Sequence, residues 1–341
     1  MAENTYDIAS RRVLVTGADG FIGSHLAERL ARSGAIVRAL ACYNSFGRAG
    51  WLDTLDRTLF DDRISVVHGD IRDPYFTSQI VEDVDIVFHL AALIAIPFSY
   101  VAPHSYIETN INGTLNVLEA CRRHGTKRLV HTSTSEVYGT AQFTPITEAH
   151  PLQGQSPYSA SKIGADHLAE SYFRSFDVPV VILRPFNTFG PRQSERAVIP
   201  SVIRQILDPA CPDIKVGDLS PVRDFNYVED IADAFICLAT AEGVELGTVY
   251  NAGTGSGVTI GETVAILRDT TGTQKPVVTE ASRRRPSKSE VFNLIAAADR
   301  LHAATNWTPN FGLENGLAKT IEWWRAEIEA GRQRLDTGYL T

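Results

Sequence analysis

Residues 12–23 read Arg-Val-Leu-Val-Thr-Gly-Ala-Asp-Gly-Phe-Ile-Gly (RVLVTGADGFIG). After Arg12, the next four are aliphatic or β-branched, and the run predicts a buried strand, Arg12–Thr16. A turn follows, and then a helix over Ser24–Ser33 that stops at Gly34. The glycines Gly17, Gly20 and Gly23 are spaced GxxGxxG, one residue longer between the first two than GxGxxG. Glycine at these places lets the backbone turn sharply and come close to a pyrophosphate, while the helix N-terminus offers N–H donors and the positive end of its dipole. A strand before the motif and a helix after it are the context this reading requires.

Outward from that turn, strands alternate with helices. Ile36–Leu40, Ile64–His68, Ile86–Leu90, Arg128–Ser133, Val178–Arg184 and Val249–Asn251 predict further strands. Thr109–His124, Ser159–Phe176, Gly261–Asp269 and Leu313–Ala326 predict helices. Such alternation implies an α/β fold: a doubly wound parallel sheet of the Rossmann type, with a smaller C-terminal lobe. Between Pro185 and Pro221 prolines crowd the chain, and we read an irregular, ligand-gripping stretch there. The expected division is residues 1–184 with about 224–258 for dinucleotide binding, and about 185–223 with 259–341 for the substrate lobe.

The composition narrows the partners. With 44% hydrophobic and 21% charged residues the chain is expected to be a soluble globular protein. Its formal net charge of −8 argues against nucleic acid as a partner, and a polyanionic ligand must then be met by individual arginines. The four cysteines form no CxxC pair, so neither a metal site nor a disulfide framework is expected. The first twelve residues lack an apolar run and nothing is long enough to span a bilayer, which predicts no membrane association and a cytoplasmic location.

The second strand ends without the carboxylate that usually bonds a ribose hydroxyl: the sequence is Leu40-Ala41-Cys42-Tyr43-Asn44-Ser45. Arg38, Ser45 and Arg48 stand near enough to face a 2′-phosphate, so NAD and NADP both stay open. Asp70, after the third strand, is placed to reach the adenine end or to cap its own turn.

Tyr158-Ser159-Ala160-Ser161-Lys162 places a phenol and an ammonium four residues apart on one helix face. A neighbouring ammonium favours the phenolate, which would suit Tyr158 to act as a base. The fifth strand runs into Ser133-Thr134-Ser135-Glu136, three hydroxyls and a carboxylate at the carboxyl end of a parallel strand, where such sheets place ligand chemistry. His89 has no partners at ligand spacing and is not expected to bind metal. Trp323 and Trp324 read as packing residues.

With these motifs in order, and with GDIRD (69–73), HLAA (89–92), TNINGT (109–114), RPFNTFGPRQ (184–193), RDFNYVED (223–230) and NAGTG (251–255), the chain resembles the extended short-chain dehydrogenase/reductase family. Within it, YNSFGRAGWL (43–52) and AALIAIPFSY (91–100) resemble the 4,6-dehydratases of N-acetylated hexosamine nucleotides. The resemblance implies a nucleotide-diphosphate sugar as substrate and a homodimer built on the helices Thr109–His124 and Ser159–Phe176. It implies that Gly17, Gly20, Phe21, Ile22, Gly23, Asp70, Ile71, Leu90, Ala91, Ala92, Asn110, Ser133, Tyr158, Lys162 and Pro185 bind NAD or NADP. Asn187, Arg192, Val198, Lys215, Arg223 and Arg285 would hold the nucleotide sugar.

In the implied reaction Tyr158 takes the 4-hydroxyl proton as hydride leaves C4. Lys162 bonds the nicotinamide ribose, Thr134 shares the bond to the 4-oxygen, Glu136 removes the C5 proton, water leaves C6 and hydride returns there. Ser135 stands where many dTDP-glucose dehydratases carry an aspartic acid for water loss. UDP-glucuronate decarboxylases share that serine, so decarboxylation is the alternative, followed by 4-epimerisation. A cofactor-sensing regulator without turnover is the non-enzymatic alternative, and it would tend to lack Tyr158 or Lys162.

Overall fold

The computed structural model describes residues 8–283 and 291–332. Seven parallel strands form the main sheet: β1 (Arg12–Thr16), β2 (Ile36–Cys42), β3 (Ile64–Gly69), β4 (Ile86–His89), β5 (Arg128–Thr132), β6 (Val180–Pro185) and β7 (Val249–Ala252). Their spatial order is β3-β2-β1-β4-β5-β6-β7. The chain crosses from one half of the sheet to the other between β3 and β4, and the crevice this leaves between the neighbours β1 and β4 is where an open α/β sheet binds ligands.

The strands alternate between two cores, as the period of two demands. Val13, Val15, Phe88, Val130, Val181 and Leu183 face helices α1 (Phe21–Arg32) and α4 (Val228–Thr240), through Leu26, Leu30, Ile231 and Phe235. Leu14, Val87, Leu129, Val180 and Ile182 face α2 (Gly113–His124) and α3 (Pro157–Phe176), through Val117, Leu118, Ala169 and Tyr172. Both faces are covered, which is why these strands read as nearly continuous apolar runs.

A third core lies outside the sheet. Phe189, Ile199, Val202, Ile214, Val264, Leu317 and Trp324 pack together from the short strands and helices of the second half of the chain. The helix Asp299–Thr305 returns to the sheet instead: Leu301 and Trp307 join the core beneath α4.

The structure departs from the sequence-based expectation in four places. Helix α1 begins at Phe21 and not at Ser24, because Gly23 serves a close contact inside the first turn and breaks nothing. The helix before α2 opens with a π-helical turn, Ile107–Asn112. The proline-rich stretch is less irregular than expected, since Val198–Leu207 is a helix with Pro200 in its first turn, where a missing N–H costs nothing. Helix α4, which the sequence reading omits, is buried along most of its length, its acidic Asp230 and Asp233 included.

One buried carboxylate ties the lobe to the sheet. Asp224 Oδ1 accepts from Thr254 N and Thr254 Oγ1, and its Oδ2 accepts from Gly255 N and Ala296 N, at 2.6–3.1 Å. The turn after β7 and the segment before Asp299–Thr305 therefore share one acceptor. Asp224→Ala removes the acceptor of three N–H groups, that of Ala296 buried, and is expected to cost roughly 3–5 kcal/mol of stability in urea unfolding. A loss below that of an ordinary surface substitution would refute this role.

Candidate active site

The site grows from the tip of β1. Gly17 has φ +68° and a Cβ there would lie 2.8 Å from Ala91 N, so only glycine lets the turn meet the chain after β4. A Cβ at Gly23 would lie 2.1 Å from Gly17 O, which fixes the approach of α1 to the turn. Gly20 differs. Its Cβ would meet only Gly17 O at 3.3 Å, and no side chain caps the helix that starts there. The protein itself makes little use of that glycine. A bare helix N-terminus with open space above Gly20, Phe21 and Ile22 suits a pyrophosphate.

Thr16 joins β1 to β4. Its hydroxyl oxygen accepts from Leu90 N and Ala91 N, both at 3.1 Å, and the hydroxyl contacts His89 Nδ1 at 2.8 Å. The Thr114 hydroxyl donates to Asn110 O at 2.7 Å, so it accepts from His89 Nε2 at 3.0 Å. His89 is thus neutral with its hydrogen on Nε2, and Thr16 donates to Nδ1. Burial, then the nearby His131 and Lys162, hold the His89 pKa well below its usual value, in keeping with this tautomer. Asn110 continues the brace: Oδ1 accepts from Leu93 N, and Nδ2 donates to Leu93 O and Ser161 Oγ, at 2.8–2.9 Å. Its amide is fully engaged with protein. It fixes the Leu90–Leu93 loop against the helix of Tyr158, within the π-helical turn that aims it there.

Tyr158, Lys162, Thr134 and Glu136 come together at the carboxyl end of β5. A capping box between Ser156 and Ser159 starts α3 just before Tyr158. The Tyr158 phenol shares a hydrogen bond with the Thr134 side chain, which also accepts from Glu136 N at 3.2 Å. Lys162 Nζ donates to Thr132 O at 2.6 Å. Thr134 and Glu136 are half-buried, whereas Ser133 and Ser135 are buried; Thr134 caps the 3-10 turn Ser135–Tyr138. Burial pushes the Tyr158 phenol above its ordinary value, against the lowering by the Thr134 bond, and the Glu136 charge adds to the rise. The lowering expected from Lys162 does not figure at Tyr158 in the protein alone, where desolvation dominates. The same burial depresses Lys162 from 10.5 to about 8.

Beneath these residues lies a cluster that the sequence reading missed. Asp166 is one turn beyond Lys162 and fully buried. Its Oδ2 accepts from Ser133 Oγ at 2.7 Å and from Arg184 Nε and Nη2 at 3.1 and 2.9 Å. Arg184 Nη1 donates to Tyr138 OH, which donates to Asn251 Oδ1 at 2.7 Å. Asp166 is held down to about 2: burial alone would raise it, but His131, Arg184 and Lys162 outweigh that. The signal was present as a third residue at the spacing of Tyr158 and Lys162.

The remaining expected residues separate. Ile71 is buried beneath Gly113 and its carbonyl accepts from Asn116 and Thr77, so its side chain serves the core. Asp70 is bound by Arg72 through side chain and backbone. Pro185 ends β6 next to Ala252, and Ala92 continues the Leu90–Leu93 loop. Asn187 Oδ1 is buried with no hydrogen-bond partner, as a polar atom kept for a ligand would be. Arg223 is buried in its strand and donates to Val222 O and Phe292 O. Val198 begins its helix and Lys215 is exposed on the strand Ile214–Val216. Arg192 is spent on α1, with Nη2 on Glu28 at 2.6 Å and Nη1 on Ser24 at 3.5 Å, and fastens the lobe to the helix of the glycine turn. Arg38 donates to Ile80 O and Glu82 O and faces no ligand. Arg285 lies outside the described residues. Among the described residues no group of three potential metal ligands occurs and no helix is long and apolar enough to cross a membrane.

Comparison with known proteins places this geometry. Residues 14–320 match the family described as GDP-mannose 4,6 dehydratase. A dTDP-glucose 4,6-dehydratase of Actinoplanes sp. is 33% identical over 321 residues, 92% of this chain and 98% of that one. The crystal structure of a dTDP-glucose 4,6-dehydratase from Streptomyces venezuelae with NAD bound is 30% identical, covering 94% of this chain and 98% of that one with a TM-score of 0.85. A UDP-N-acetylglucosamine 4-epimerase from Methanobrevibacter ruminantium, in complex with UDP-N-acetylmuramic acid, is also 30% identical, covering 94% and 99%, with a TM-score of 0.84.

Burying Lys162 costs stability. Between pH 8 and 10.5 the folded chain binds fewer protons at this lysine than the unfolded chain, so stability contributed by this group rises with pH across that window. Lys162→Met is expected to stabilise the fold by about 1–3 kcal/mol at neutral pH, a gain that shrinks as the pH climbs towards 10.5. Chemical unfolding at neutral and alkaline pH measures it, and a gain that does not fade with pH would refute the cause.

Proposed function

We propose that this chain, which belongs to the GDP-mannose 4,6-dehydratase family of extended short-chain dehydrogenases/reductases, is an NAD-dependent nucleotide-sugar 4,6-dehydratase. The observation that carries this reading is the convergence of Tyr158, Thr134, Lys162 and Glu136 at the end of β5, beside a helix N-terminus left bare at Gly20. The residues present fit a dinucleotide: Gly20 to Gly23 would hold its pyrophosphate, and Leu90 to Ala92 and Lys162 would face its nicotinamide half. NAD+, when bound, accepts hydride from the sugar C4, returns it to C6, and brings a positive ring that offsets the desolvation of Tyr158.

The side chains divide the remaining work. Tyr158 takes the 4-hydroxyl proton as the C4–H bond breaks. Thr134 holds the same oxygen, and Lys162 supplies positive charge from the next turn of α3. Oxidation at C4 acidifies C5–H. Glu136 takes that proton and passes it to the departing C6 hydroxyl, so water leaves and the carboxylate is regenerated; as hydride returns to C6, C5 gains a proton that balances the one Tyr158 took from O4. Ser135 is buried at 3% exposure and is a poor candidate for that second task, which is why Glu136 is given both. Asn187, donating through its amide N–H, and Arg223 are assigned to the diphosphate, and Val198 and Lys215 to the nucleobase; the orphaned Asn187 Oδ1 is left to accept from a ligand hydroxyl. The dinucleotide is assigned to residues 8–184 with 224–258 and the sugar nucleotide chiefly to the smaller lobe.

Two copies are proposed to pair through α2 and α3. Ile107, which precedes α2, and Phe176, at the end of α3, are 42% and 50% exposed. Phe98 and Val101 are exposed on the helix Ile96–Val101, which packs against α3. A cytoplasmic location is proposed on the four unpaired cysteines, one of them exposed.

Tyr158→Phe is expected to lower turnover by about 10²–10⁴-fold and to leave the bound cofactor oxidised. Glu136→Gln is expected to let oxidation proceed and to trap reduced cofactor, visible by its absorbance, with no loss of water. Mass spectrometry of UDP-, GDP-, CDP- and dTDP-sugars after incubation reads the reaction. Loss of CO2 would favour the decarboxylase, and an unchanged mass with inverted C4 the epimerase. Turnover of any of them by Tyr158→Phe at the wild-type rate would refute the assignment.

A further inference from the structure

Strand β2 ends at Cys42 with no carboxylate of its own. The turn after β1 runs along that strand end. Ala18 N donates to Leu40 O at 3.0 Å, and Asp19 Oδ2 accepts from Cys42 N at 3.1 Å. A carboxylate therefore sits at the tip of β2 although it belongs to the glycine-turn sequence. Its position is fixed from behind. Trp51 N donates to Asp19 O at 3.0 Å, and Gly50, at φ +59°, comes so close that a Cβ would lie 2.4 Å from that oxygen.

The other charged groups at this corner are engaged. Asp70, at the tip of β3, is neutralised by Arg72. Arg38 is held by two carbonyls of the neighbouring helix end. Arg48 is 77% exposed and its nearest carboxylate, Asp53, is 3.9 Å away. Asp19 has no ion-pair partner and its Oδ1 accepts no hydrogen bond among the described residues.

We propose that Asp19 anchors the adenosine ribose of the cofactor through Oδ1, in place of the missing β2 carboxylate, and thereby sets a preference for NAD over NADP. A ribose hydroxyl can donate to that oxygen. A 2′-phosphate offers no proton and brings negative charge against it. The inference rests on the dinucleotide reading above, and it assigns the adenosine anchor to Asp19 instead of Asp70.

The test is equilibrium binding of NAD+ and NADP+, by calorimetry, to the full chain freed of bound nucleotide. Wild type, Asp19→Asn, Asp19→Ser and Arg48→Ala are compared, each checked for fold by circular dichroism. Wild type is expected to favour NAD+ by about 100-fold, and both Asp19 variants to lose roughly tenfold or more of that ratio, with NADP+ bound more tightly than by wild type. Arg48→Ala is expected to keep the wild-type ratio. Folded Asp19 variants that bind NAD+ with the wild-type ratio would overturn the proposal and leave the dinucleotide reading standing. So would a wild-type preference for NADP+ that Arg48→Ala abolishes. Wild type binding neither nucleotide would overturn the dinucleotide reading, and the proposal with it.

Discussion

The hydroxyl of Thr16 is the contact on which the site depends. It is a single oxygen at the point where the sheet reverses direction, and it does three things at once. It ends β1, it donates to His89 at the end of β4, and it holds the first two amides of the loop that follows. Valine would fill the same volume but would leave Ala91 N and a histidine nitrogen without these partners, with Leu90 N kept only by Thr16 O. The crevice between β1 and β4 is open because these strands are neighbours without a connecting helix between them. It has a defined width because Thr16, His89, Thr114 and Asn110 form one continuous chain of bonds across it.

That chain leads to the second half of the site. Asn110 bonds Ser161, which donates to Tyr158 O, so the loop after β4 and the helix of the base are placed together. From the other side, Asp166 holds Ser133 and Arg184, which places the hydroxyls after β5 against the same helix. The site is thus clamped twice along α3, once above Lys162 and once below it. A buried ion pair such as Asp166 with Arg184 brings little net stability, because desolvation consumes most of its attraction. Its value here is geometric, since removing either partner strands the other charge within one turn of Lys162.

Much of this was legible in the sequence. The strand alternation, the glycine turn and the Tyr158–Lys162 spacing announce themselves because each is local: periodicity within an element, or a pattern inside one turn. What the sequence hid is what depends on long-range pairing. Asp19 and Cys42 are far apart in the chain, and nothing local indicates that a carboxylate in a glycine turn will sit at the end of another strand. Arg192 looked like a phosphate ligand by residue type, yet its partner Glu28 lies 164 residues away. Helix α4 escaped for the same reason. Its acidic residues are buried with the apolar ones, Asp230 on Asn310 N and Phe311 N and Asp233 on Arg29, and those distant partners are not visible from the helix's own sequence.

The depressed charge of Lys162 and the raised phenol of Tyr158 then express one constraint. The pocket that excludes water from the sugar also removes water from the groups that act on it. A fold chosen only for stability would not bury an ammonium ion with one backbone carbonyl as its hydrogen-bond partner. Asp166, one turn deeper, supplies the opposing charge that keeps the lysine protonated near neutral pH, while its own charge is held by Arg184 and His131. The cost of burial is passed inward, from the reacting residues to a cluster sealed under the sheet edge. The three side chains at positions 158, 162 and 166 are therefore one device on one helix face: a base, a cation on the next turn, and the counter-charge that keeps that cation protonated, though the same charge raises the phenol.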